Sequence, residues 1–136
     1  LSEQFEARTS LVEIQDSPSV LLRDMAGTRL PIAVAHGEGR AEIGDGALNR
    51  SIDQRLLALR YVDSLGNPAE QYPANPNGSA QGVTGFTTSD GRATIMMPHP
   101  ERVFRVLQNS WIPDDWRRFE NGPWYRLFAN ARKWVG

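Results

Sequence analysis

The sequence predicts an α/β fold, and three observations point there. Strand-length apolar or alternating segments take turns with segments of helical spacing. One run, "LPIAVAH" (30–36), is apolar throughout, the pattern of a strand buried on both faces. Glycine and proline punctuate the chain between these segments, with no internal repeat and no low-complexity stretch. The length of 136 residues suits one domain with a sizeable core.

The elements follow in order. "FEARTSLVEIQ" alternates, with Val12 and Ile14 set against Leu11, Glu13 and Gln15, and predicts a strand. "DSPS" (16–19) is a turn around Pro18. "SVLLRDMAG" (19–27) reads either as a strand or as one helical turn, ended by Gly27. "LPIAVAH" is the buried strand, and "GEGR" (37–40) is a glycine turn at its C-terminal end. Leu48, Ile52, Leu56 and Leu57 lie near helical spacing and predict a helix over about 46–56. "LALRYVD" (57–63) alternates like a strand and "SLGNP" turns it. Residues 69–82, with Pro73, Pro76, Gly78 and Gly82, predict a long loop. "VTGFTT" and "ATIMM" flank Asp90-Gly91 and predict a hairpin. Pro100 suits the first turn of a helix that Val103, Phe104, Val106 and Leu107 would continue. "IPDDWRR" caps another short piece. "GPWYRLFANARKWV" predicts a closing helix, with Trp124, Leu127, Phe128 and Trp134 docking on the sheet.

Composition narrows the function classes. The 15 basic and 16 acidic residues are well mixed, which gives no reason to expect nucleic acid or an anionic membrane as partner. No apolar run approaches the roughly 20 residues of a membrane span, and the opening residues lack a signal-peptide pattern. The absence of cysteine excludes disulfides and thiolate metal sites within the chain and fits a cytoplasmic setting. The chain opens on Leu1 rather than Met, which suggests a piece of something longer, although processing would give the same start.

Three clusters carry potential chemistry. His99 and Glu101 stand two residues apart just past a strand, between and after Pro98 and Pro100. A histidine acting as general base needs its ring held in one tautomer and its positive charge offset, and a carboxylate on the second nitrogen does both. The same tripeptide also reads as a helix start, with proline first and a glutamate placed against the N-terminal dipole. "AHGEGR" (35–40) puts His36 and Glu38 between glycines at a strand end, where open α/β sheets keep ligands; the residues alone favour a solvated glycine turn. "NPNGS" (75–79) carries turn signals. The two histidines and two glutamates also raise a zinc site, but no helix carries a metal-binding spacing, so no metal is expected. There is no Walker loop and no G-x-G-x-x-G.

Taken together, "RLPIAVAHGEGR", "YPANPNGS", "GRATIMMPHPERVF" and "NARKWVG" resemble the glutaminase domain of phosphoribosylformylglycinamidine synthases over the whole 136 residues. "SEQFEAR" and "NARKWVG" favour the large single-chain form. The resemblance implies a class I glutamine amidotransferase fold: an open, mostly parallel, flavodoxin-like sheet with helices on both faces, of which this chain is the C-terminal part. It implies a cysteine–histidine–glutamate triad in which His99 is the general base and acid and Glu101 orients it. The cysteine elbow and first strands are then expected upstream of Leu1, and the chain alone is expected to be inactive. Glutamine is the implied substrate and the synthase domain of the same polypeptide the implied partner. ATP and magnesium are implied only in that synthase domain, with no cofactor in this chain. The resemblance singles out no glutamine-contacting residue; the turn 37–40 and the loop 69–82 are candidates for contact with glutamine or with the synthase domain. A non-catalytic regulatory or binding domain of the same fold, and a plain structural module whose His99-Pro100-Glu101 is a helix cap, remain the alternatives.

Overall fold

A computed structural model describes residues 5–44 and 46–136. Residues 2–4 of the "SEQFEAR" string lie outside the described residues. Among the described residues, five strands form one sheet: β1 (Glu6–Ile14), β2 (Arg29–His36), β3 (Leu57–Tyr61), β4 (Val83–Thr87) and β5 (Thr94–Met96), in spatial order β2-β1-β3-β4-β5. The α-helices described are α1 (Ala47–Asp53) and α2 (Tyr125–Val135).

Every strand pair is antiparallel, which corrects the expectation of a mostly parallel, flavodoxin-like sheet. The reason lies in β2. Leu30, Ile32 and Val34 are buried, whereas Pro31, Ala33 and Ala35 on the other face are only partly covered. Small residues on that second face made a strand with one core face look apolar throughout. β2 is also an outer strand, which is where a proline can sit without removing a ladder hydrogen bond. β1 shows the ordinary pattern, with Ser10, Val12 and Ile14 inward and Thr9 exposed.

The sheet curls. Register shifts between β3 and β4 bend it, as bulges do. Beyond β5 the chain reaches round to the opposite edge: the His99 amide donates to the Ala33 carbonyl at 2.8 Å and the two residues pair as an antiparallel bridge. The segment after the last strand therefore closes on β2.

The hairpin at Asp90-Gly91 forms as expected, with Gly91 at φ +70°. Its carbonyl accepts from the Val20 amide at 2.9 Å, and a Cβ there would lie 1.9 Å from the Pro18 carbonyl oxygen, so only glycine fits. Residues 19–27 make turns, with neither the strand nor the helical turn considered for them. α1 is shorter than 46–56 and buries no residue fully. The helix expected from Pro100 is instead two separate 3-10 turns, Pro100–Arg102 and Val106–Gln108, with extended backbone at Arg105 between them.

Trp124 and Leu127 dock as expected; Trp124 is 1% exposed and its indole Nε1 donates to the Pro31 carbonyl at 2.7 Å. Losing such a ring from a core costs about 3–5 kcal/mol. Phe128 and Trp134 do not dock: both lie at the surface, and Phe128 packs edge-on against Phe104 with centroids 5.3 Å apart. No helix among the described residues is long and apolar enough to cross a membrane.

Candidate active site

His99 is held from both sides. Met97 donates to the Thr84 carbonyl at 3.0 Å, Pro98 and Pro100 are buried, and the His99 amide is tied to Ala33. The 3-10 turn that follows swings Glu101 back toward the ring. Its carboxylate Oε1 lies 2.8 Å from His99 Nδ1. A carboxylate oxygen accepts only, so Nδ1 carries the hydrogen and Nε2 keeps a lone pair for other work.

The geometry bears on the helix-cap reading. Proline does stand at the first position of the turn, with Glu101 next to it. The turn, however, has only three 3-10 residues and offers little aligned dipole. The pair also contributes little to stability, because its side chains are 30% and 54% exposed and exposed ion pairs are worth about 0–1 kcal/mol. The Arg102 guanidinium is a longer neighbour of the same carboxylate, at 3.8 Å.

The other two clusters come together. Asn77 Nδ2 donates to the Gly39 carbonyl at 2.5 Å, and Ser79 Oγ accepts from the Ala41 amide at 2.9 Å. Asn75 fixes the loop from within: its Nδ2 donates to the carbonyls of Ala69 at 3.0 Å and Ser79 at 2.8 Å, and its Oδ1 accepts from the Gly78 amide at 2.9 Å. Asn75, Asn77 and Ser79 are buried, so the loop 69–82 is an ordered clamp on the turn 37–41. Arg8 anchors its start, with the guanidinium 4.4 Å above the Tyr72 ring and paired to Glu6 at 2.9 Å. Sequence reasoning missed Arg8 and Tyr72, since a contact across 64 residues leaves no local pattern.

His36 ends β2 beneath this clamp. A Cβ at Gly39 would stand 2.5–2.6 Å from three ring atoms, so a larger residue there would force the ring to move. Its Nε2 is buried without a hydrogen-bond partner among the described residues. Glu38 is exposed. Burial pushes the His36 pKa below its ordinary 6.5; a backbone hydrogen bond opposes this, nearby His99 adds to it, and Glu6 opposes it. The folded chain then binds this proton less readily than the unfolded chain. His36 leaves stability intact above pH 6.5 and erodes it as the pH falls below that value. Thermal unfolding followed from about pH 8 to 5 should show the native chain losing midpoint faster than His36→Gln on the acid side. Parallel curves would contradict this.

No group of three or more His, Asp or Glu side chains that could hold a metal occurs among the described residues. The site thus consists of an oriented imidazole fixed to one edge of β2 and a clamped glycine turn at the end of the same strand.

A chain in the structure of PurLQS from Thermotoga maritima superposes with a TM-score of 0.65 at 21% identity. The match covers 99% of this chain and 50% of that one, so this chain spans half the length of its structural relative. The family model for the CobB/CobQ-like glutamine amidotransferase domain matches residues 1–135. By that match the chain belongs to the family of CobB/CobQ-like glutamine amidotransferase domains.

Proposed function

We propose that this chain supplies the histidine and glutamate of a glutaminase triad, in the glutaminase part of a phosphoribosylformylglycinamidine synthase. The observation that carries the proposal is the 2.8 Å contact between Glu101 Oε1 and His99 Nδ1 in a member of a glutamine amidotransferase family. The sequence resemblance and the shared fold with a PurLQS chain support the particular enzyme.

The chemistry follows from which nitrogen is free. Nε2 of His99 takes the proton of a cysteine thiol, and Glu101 stabilises the imidazolium. The thiolate attacks the side-chain carbonyl carbon of glutamine. The imidazolium returns the proton to the leaving nitrogen, ammonia departs, and a γ-glutamyl thioester remains. Nε2 then takes a proton from water, whose oxygen attacks the thioester, and the thiol is regenerated as glutamate leaves. The sequence holds no cysteine, so the thiol comes from outside these 136 residues. The turn 37–40 and the loop 69–82 clamped to it are the proposed contacts for glutamine or for the synthase domain of the same polypeptide, which receives the ammonia. There ATP and magnesium would activate the formylglycinamide substrate.

A glutamine analogue bearing an electrophilic carbon at the amide position tests the proposal in the full-length protein. The expected label sits on one cysteine outside these residues, with loss of glutamine-supported activity. A label on a side chain within residues 1–136 would overturn it.

A further inference from the structure

A cavity of about 370 Å³ opens between α2 and the turns at 20–24. It is lined by Arg23, Asp24, Arg126, Lys133 and Trp134, with Asn130 on its inner wall. None of these residues belongs to the His99 site or to the clamped turn. Three of the side chains are cationic and one is anionic. Asp24 pairs with Arg126 at 2.9 Å, which leaves Arg23 and Lys133 without an ion-pair partner among the described residues. Lys133 is the only lysine in the chain.

The C-terminal end of α2 accounts for Lys133, because cations there complement the helix dipole. It does not account for Arg23, which arrives from a different segment and adds a second uncompensated charge to one concavity. The wall that holds these cations is fixed. Asn130 is 8% exposed; its Nδ2 donates to the Leu21 and Arg23 carbonyls, each at 2.9 Å, and its Oδ1 accepts from Arg126 Nε at 3.2 Å. This joins the backbone of Arg23 to the helix that carries Lys133. The indole of Trp134, 52% exposed, offers a flat apolar surface beside the two cations.

We infer that this cavity binds a nucleoside di- or triphosphate, with the phosphates between Arg23 and Lys133 and the base against Trp134. Fork-shaped guanidinium groups and ammonium groups are the side chains that take phosphate oxygens, and an indole face stacks on a base.

Calorimetric titration of the chain with ATP, with inorganic pyrophosphate and with adenosine tests the inference. ATP and pyrophosphate should each bind at one saturable site. The double variant Arg23→Gln/Lys133→Gln should weaken both by at least about tenfold, with an unchanged far-ultraviolet circular dichroism spectrum. Trp134→Ala should weaken ATP while leaving pyrophosphate unaffected. No binding of pyrophosphate, binding that survives the double variant, or equal ATP affinity in Trp134→Ala would each overturn the assignment. Tight binding of adenosine alone would do the same, since the phosphates would then contribute nothing.

Discussion

The 136-residue chain, purified by itself, should release no glutamate from glutamine above the no-protein blank. The chain carries the acid–base half of the proposed triad, but nothing in it can form a thioester. His99 and Glu101 already stand in hydrogen-bond contact, so the expected inactivity arises from the missing nucleophile rather than from a disordered base. An oriented imidazole without a nucleophile leaves direct attack by water on an unactivated amide, which is far slower than attack on a thioester. Measurable turnover that is lost in His99→Ala would mean that a serine or threonine of this chain acts as the nucleophile, and the triad assignment would fail.

Glu101→Gln in the full-length protein should slow glutamine turnover by about 10- to 1000-fold with the fold intact. Glutamine has nearly the same size and can still accept from Nδ1, so packing around the 3-10 turn survives. What disappears is the charge that stabilises the imidazolium, and with it the strict demand that Nδ1 be the protonated nitrogen. In a serine triad the comparable change costs up to about 10⁴ in turnover. A thiol is more acidic and leans less on its third member, which sets the smaller range. A capping role makes a different forecast: a stability loss of about 0.3–1 kcal/mol with nearly normal turnover. Thermal stability and glutamine turnover measured on the same variant separate the two. A turnover within about twofold of the native protein, worth less than about 0.5 kcal/mol in barrier, would remove Glu101 from the catalytic residues.

How far the sequence reached depended on whether the signal was local. The hairpin followed from Asp90-Gly91, whose turn demands a residue at positive φ, and β1 followed from the alternation around Val12 and Ile14. The His99–Glu101 contact was legible because two residues and a proline set the reach of one side chain to the other. Sheet direction was not. Pro31, Ala33 and Ala35 are small enough to make an outer antiparallel strand look like a central parallel one. The helix expected after Pro100 failed for a tertiary reason: the chain there is drawn out by hydrogen bonds between Val106 and Glu120 and between Gly122 and Phe104. Apolar spacing could not show that Trp124 spends its indole on Pro31 while Phe128 and Trp134 stay at the surface. The clamp on the turn 37–41 joins Asn77 to Gly39 across 38 residues. Each segment alone reads as an ordinary surface turn, and only the fold makes them one structure.

The assignment of His99 as the general acid–base group is tested most directly by comparing two nitrogen sources in the full-length protein carrying His99→Ala. Product formation supported by glutamine and by an added ammonium salt would be measured side by side. Glutamine-supported synthesis should fall by at least about 10³-fold, because both the thiol activation and the protonation of the leaving ammonia are lost. Ammonium-supported synthesis should stay within about twofold of the native protein, since that chemistry uses no residue of this site. Equal loss of the two activities would make His99 a structural residue, fastened to Ala33 for the sake of the fold, and would contradict its catalytic assignment.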